Sequence, residues 1–286
     1  MLILRKLAHS YIWKRIFFER LTEPLHLNIL SVFILVFGSF RSKVAWDLVV
    51  RSHHAYSLLN AADQAKNLGL TKVTVVEFGV AAGAGLLNLV KIAEKVRRVT
   101  GISFEIYGFD TGKGMPVPRS FRDHPDLYQE GDFVMDIPSL KSKLPHNCHL
   151  VIGEVEVTVP EFVKTLSDEA PLGFVSVDVD YYYSAKQSLE VLRGASNKYL
   201  PRSLVYLDDL EDQAHNNYCG ELLAVNEFNT ENEFRKIERH QFLRSYRIFR
   251  NARWIDHIFT AHVLDHVKRS QLEQTRKKVI LTNPYL

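Results

Sequence analysis

Residues 73–85, Val-Thr-Val-Val-Glu-Phe-Gly-Val-Ala-Ala-Gly-Ala-Gly, constrain the fold of this chain more than any other stretch. Residues of buried-strand character run into an acid, Glu77, and then into a small-residue turn. An apolar helical pattern follows at Leu86, Leu87, Leu89, Val90, Ile92 and Ala93. Strand, glycine turn and helix, in that order, is the device by which an open α/β sheet brings backbone N–H groups close to a nucleotide. Gly79, Gly83 and Gly85 lack the Cβ atoms that would block such an approach, and Glu77 at the strand's carboxyl end is placed to meet the ligand. The dinucleotide fingerprint G-x-G-x-x-G is absent, because no third glycine follows Gly85 at the required offset.

Downstream the chain alternates strand and helix, the pattern of a parallel sheet with crossover helices. Residues 104–110, 149–153, 174–180 and 204–209 read as further strands, 235–239 and 255–264 as two closing ones. Residues 111–147 form a long irregular insert, the expected specificity lid. Each strand ends in acid: Glu77, Asp110, Glu154, Asp178 with Asp180, and Asp208 with Asp209. Ligands of open α/β sheets bind outside the carboxyl ends of the strands, so these acids predict a polar site on one sheet edge. Asp110 stands where a carboxylate accepts ribose hydroxyls; capping of the turn after it is the competing reading.

Composition sets bounds. The length fits one α/β domain with appendages, and an apolar share of 46% with 24% charged residues is ordinary for a soluble enzyme. A net charge of +3 is too small to point to nucleic acid. Cys148 and Cys219 give neither a disulfide framework nor a C-x-x-C metal site, which fits a reducing compartment and a cytoplasmic location. Residues 25–40 are almost wholly apolar but short for a membrane span. A helix or helix pair buried against the main domain is the first expectation there, with peripheral membrane contact and a true span behind it. The oligomeric state stays open, a homo-oligomer included.

Several blocks together resemble a known family. Glu77-x-Gly79-x-x-x-Gly83-x-Gly85 resembles motif I of class I S-adenosylmethionine (SAM) methyltransferases. Residues 107–116 (Tyr-Gly-Phe-Asp-Thr-Gly-Lys-Gly-Met-Pro), 153–160 and 178–190 with Asp208-Asp209 resemble, in the right order, blocks of macrocin O-methyltransferase-like enzymes. The resemblance covers about Val73 to Glu211. It implies a Rossmann-like α/β methyltransferase sheet, mostly parallel with an antiparallel closing strand and helices on both faces. Residues 1–70 are then a helical extension and 71–286 the methyltransferase domain. It implies SAM held by Glu77, Gly79, Gly83, Gly85, Asp110 and Glu154, and an acceptor hydroxyl on a small molecule or saccharide. The layout is also similar to catechol-type O-methyltransferases, which implies Mg²⁺ on Asp178, Asp208 and Asp209.

Hard oxygen donors suit Mg²⁺, and a bound cation acidifies the attacked hydroxyl. Asp180 is expected beside these ligands, pointing the same way as Asp178 if the strand continues. Tyr181 stands where related enzymes carry a Lys or His base, and His215, with a pKa near neutrality, is the better proton acceptor. His53 and His54 are weaker candidates to cover the site, and Arg119, Arg122, Asp123 and His124 of the insert suit a polar acceptor. Two other readings compete: a metal-dependent glycosyltransferase using Asp178-x-Asp180 on a nucleotide-sugar, and a non-catalytic SAM-fold protein docked on a membrane.

Overall fold

The computed structural model describes Trp13 and residues 20–124, 127–210 and 216–270. Seven strands form one sheet: β1 (Lys72–Phe78), β2 (Ser103–Asp110), β3 (Cys148–Ile152), β4 (Leu172–Val177), β5 (Tyr199–Leu207), β6 (Arg235–Arg239) and β7 (Ile258–Val263), in the order 3-2-1-4-5-7-6. β3, β2, β1, β4 and β5 run parallel, and β7 enters antiparallel between β5 and β6. This is the mostly parallel, Rossmann-like sheet with an antiparallel closing strand that the resemblance implies. β1 is central, and its Val73, Val75, Val76 and Phe78 have no exposed surface. A strand covered on both faces reads as a continuous apolar run, which is why it is so plain in the sequence.

The covering helices used below are α1 (Leu25–Phe37), α2 (Ser52–Asn67), α3 (Ala84–Thr100), α4 (Val155–Thr165), α5 (Tyr182–Leu189) and α6 (Gly220–Glu231). α2 and α3 lie on one face, where Ala55, Leu58, Ala62, Leu86, Leu89 and Val96 share a core with Val73, Val75 and Ile106. α4, α5 and α6 cover the other through Phe162, Leu189 and Phe228 against Val76, Phe109 and Val177. α2 therefore belongs to the same packed layer as the sheet.

Three sequence expectations change. The apolar spacing over 44–68 (Leu48, Val49, Ala55, Leu58, Leu59, Ala62 and Ala65) predicts helix throughout, but the helix is broken at 46–51, where Asp47 and Arg51 both take left-handed backbone (φ 51°). A buried ion pair holds this break in place: Arg247 Nη2 donates to Asp47 Oδ1 at 2.7 Å and to the Val44 carbonyl at 2.7 Å. β4 ends at Val177, so Asp178 and Asp180 lie beyond the strand. Residues 25–40 do not form the expected buried helix pair: α1 buries only Ser31 and Leu35, while Leu25, Ile29, Leu30, Phe33 and Phe37 are exposed. No described helix is long and apolar enough to cross a membrane.

Candidate active site

A cavity of about 470 Å³ opens at the carboxyl ends of β1, β2, β4 and β5. Glu77, Gly79, Gly85, Asp110, Glu154, Asp178, Asp180, Asp208 and Asp209 all line it. Sheet register explains the convergence. Phe78 pairs with Phe109 on one side and Val177 on the other, and Val177 pairs with Leu207. The residues one past each pair are Gly79, Asp110, Asp178 and Asp208, so they leave the sheet at one level.

The glycines serve packing more directly than ligand approach, which corrects the sequence-based reason for them. A Cβ on Gly79 would fall 1.6 Å from the Asp178 carbonyl oxygen, and its φ of 81° is left-handed. On Gly83 (φ 84°) a Cβ would meet Leu140 Cδ1 at 2.4 Å, and on Gly85 it would meet Glu77 Oε1 at 2.0 Å. Gly83 itself does not line the cavity, although Ala82 and Ala84 do. Asp110 performs the turn-capping role that competed with ribose binding. Its Oδ2 accepts the Val80 and Ala81 N–H groups at 2.9 and 2.8 Å, and its Oδ1 accepts Gly112 N–H at 2.6 Å. A carboxylate offers about four acceptor positions, so these three bonds leave room for a ligand hydroxyl.

The acid cluster is electrostatically unbalanced. Burial, reinforced by Asp178, pushes the Glu77 carboxyl up to about 8, and its Oε2 has no hydrogen-bond partner. Burial, then Asp208 and Asp180, pushes Asp178 up to about 8; burial, then Asp180, Asp178 and Asp208, pushes Asp209 up to about 9. Each shift has the sign expected when carboxylates are desolvated together. Asp208 Oδ1 accepts the Tyr206 hydroxyl at 2.6 Å, and Asp209 Oδ2 accepts the Asp180 N–H at 3.0 Å. Asp180 does not continue the strand. It turns at φ 57°, still faces the cavity, and hydrogen-bonds the Tyr128 side chain of the insert. Among the described residues, no three His, Cys, Asp or Glu side chains are grouped as a formed metal-binding set.

Two residues of this site escape sequence reading. Glu221, at the start of α6, is buried; its Oε2 accepts the Asp209 N–H at 3.2 Å while its Oε1 has no partner, and burial followed by Asp209 holds its carboxyl well above the usual range. Arg51 is the one Lys, Arg or His among the described residues lining the cavity. Its positive charge opposes the upward shifts of Glu77 and Asp178. Its side chain forms no hydrogen bond or ion pair among the described residues. Neither had a sequence signal, because an acid opening one helix and an arginine preceding another are ordinary.

Other expected residues fall elsewhere. Tyr181 is 2% exposed, packs edge-on to Tyr128, and lies outside the cavity lining; burial pushes its phenol up, away from service as a base at neutral pH. His53 stacks on Tyr206 with ring centroids 3.9 Å apart, and His54, 4.0 Å from Glu77, is held neutral by burial with its pKa down to about 3. Neither lines the cavity. In the insert, Asp123 is a structural anchor: its carboxylate accepts the N–H groups of Arg119, Ser120 and Tyr183. Arg119 lies over the Tyr183 ring at 3.3 Å, and His124 is buried. The insert faces the cavity instead with Met115, Pro116, Tyr128 and Phe133. His215 lies outside the described residues.

No family model and no curated protein sequence matches this chain. Among solved structures it is similar to a calicheamicin methyltransferase, at 19% identity over 77% of this chain and 82% of that one, with a TM-score of 0.48. It is similar to the O-methyltransferase TomG of Streptomyces achromogenes, involved in tomaymycin synthesis and solved with SAM, at 15% identity over 84% and 98% (TM-score 0.42). A Bacillus cereus O-methyltransferase solved with S-adenosylhomocysteine (SAH) gives 11% identity over 75% and 82% (TM-score 0.40).

Proposed function

We propose that this chain is a SAM-dependent O-methyltransferase acting on a hydroxyl of a small molecule or saccharide, with Mg²⁺ as its metal. The observation that carries the reading is that the glycine turn and the acids at the ends of five strands line one cavity. The glycine turn and Asp110 form the cofactor end of this reading. Asp110 braces the turn through three backbone N–H groups and keeps an acceptor position for a ribose hydroxyl. Arg51 supplies positive charge for the carboxylate of the SAM amino-acid moiety. Glu77 is buried beneath the turn and supports it, with its Oε1 filling the space left by Gly85.

The donor chemistry fits a hard divalent cation. Asp178, Asp208 and Asp209 would hold it; burial, and after it mutual repulsion, raises the pKa of Asp178 and Asp209, and a cation would balance that repulsion. When bound, Mg²⁺ supplies Lewis acidity that lowers the pKa of a coordinated hydroxyl. The protein's own part is orientation and proton removal. Glu221 fixes the Asp209 backbone, Tyr206 fixes Asp208, and Asp180 and His215 are the groups offered for the departing proton. Met115, Pro116, Tyr128 and Phe133 cover the cavity and limit water at the reacting atoms.

Calorimetry in EDTA and in Mg²⁺ tests the metal part. Wild type should melt higher in Mg²⁺, and Asp209→Asn should lose that rise while melting no lower than wild type in EDTA, since the substitution removes one carboxylate from the cluster. Turnover of methyl-labelled SAM with hydroxylated sugars should stop in EDTA. A wild-type melting temperature indifferent to Mg²⁺, with undiminished turnover in EDTA, overturns it.

A further inference from the structure

The exposed side of α1 is a surface that the cavity does not account for. Leu21, Leu25, Ile29, Phe33 and Phe37 recur at every fourth residue and are 75%, 74%, 65%, 59% and 69% exposed. A step of four residues on an α-helix advances about 40° around the axis, so Leu25, Ile29, Phe33 and Phe37 make one slowly winding ribbon on α1, and Leu21 is exposed in the turn before it. The Phe33 and Phe37 rings lie 5.0 Å apart within it. Single exposed hydrophobics are ordinary, but a contiguous row of four marks an interaction surface.

The opposite side of α1 is fixed to the protein. Ser31 and Leu35 are buried, and the Ser31 hydroxyl accepts a hydrogen bond from Arg20 Nη1 at 3.1 Å. Arg20 Nη2 donates to the Trp46 and Asp47 carbonyls at 2.8 and 2.9 Å. Rolling the helix to bury the ribbon would break these buried bonds, so the ribbon faces outward by construction of the fold.

Charge identifies the occupant. Besides the buried Arg20, residues 1–24 hold Arg5, Lys6, Lys14 and Arg15 against Glu19 and Glu23, a positive surplus of two. A second copy would bring the same positive surplus against itself, whereas an anionic lipid surface attracts it. α1 has 13 residues, about 20 Å, and no described helix is long and apolar enough to span. We infer that α1 lies in the interface of a membrane containing anionic lipids, with the ribbon of Leu25, Ile29, Phe33 and Phe37 inserted.

Flotation of the full chain with vesicles tests this. Vesicles of phosphatidylcholine alone are compared with vesicles containing phosphatidylglycerol, using wild type, Ile29→Asp with Phe33→Asp, and Leu25→Asp with Phe37→Asp. These side chains are exposed, so the melting temperature should hold. Wild type should float with the anionic vesicles, and both double variants should lose at least about tenfold of that binding. High salt should weaken the wild-type interaction as well. Binding unchanged in both variants, or no flotation of wild type, overturns the inference. So does a concentration-dependent wild-type dimer in gel filtration that the variants abolish, which would assign the ribbon to self-association.

Discussion

Glu77 is a buried acid with one carboxylate oxygen left without a hydrogen-bond partner. Its carboxyl, ordinarily near 4.5, is raised to about 8 by burial, so the folded state binds a proton that the unfolded state has released. The stability this contributes is full below about 4.5 and is lost as pH rises through about 8. Scanning calorimetry should therefore record a falling melting temperature for wild type between pH 5 and pH 9, and a shallower fall for Glu77→Gln, which has no proton to lose. Equal slopes would mean that Glu77 is not the buried acid described. Arg51 makes a different prediction. Arg51→Ala should weaken SAH by about tenfold or more, the scale of a charge-assisted hydrogen bond, and leave 5′-methylthioadenosine, which lacks the amino-acid moiety, unchanged. Equal losses for the two ligands would place Arg51 elsewhere than at the carboxylate. Glu77 was legible because an acid after a run of valines is conspicuous. Arg51 was not, because its importance comes from a left-handed backbone turn that brings it over the strand ends, and no local residue pattern announces that turn.

At the scale of elements, the strands were read well where both faces are buried and less well where the chain leaves the sheet. β1 and β2 were found almost whole. β4 was read three residues too long, because Asp178-Val-Asp180 alternates like a strand although Asp180 turns at φ 57°. β5 starts at Tyr199, five residues ahead of the reading, because Pro201 and Arg202 disguise it. α4 begins at Val155, with Pro160 inside it. The glycine turn and the 46–51 break can each be tested by circular dichroism during thermal unfolding. Gly79→Ala should destabilise strongly, since its Cβ would overlap the Asp178 carbonyl and its backbone is left-handed. Gly83→Val is likewise expected to unfold easily, through Leu140 and φ 84°. Asp47→Ala strands the buried Arg247 guanidinium and should cost about 3–5 kcal/mol. A variant of Asp47 as stable as wild type would show that the 46–51 turn is held by other contacts.

For the whole molecule, the site was legible as a set of strand-end acids and blurred wherever tertiary contacts decide the role. The acids converge as sheet order and register require. The insert's Asp123 looked like a substrate group and is instead bonded to the Tyr183 N–H at the start of α5, a contact across 60 residues that no spacing rule reveals. The apolar run in α1 looked like core, since hydropathy does not say which side of a short helix the protein covers. On the function proposed here, the cavity bordered by the glycine turn and the acid cluster binds SAM. Isothermal titration of the full chain with SAH, beside a titration with a UDP-sugar and Mn²⁺, tests it most directly. Saturable one-to-one binding of SAH, with no heat from the UDP-sugar, is the result predicted. Binding of the UDP-sugar with silence toward SAH would contradict it and return Asp178 and Asp180 to a nucleotide-sugar.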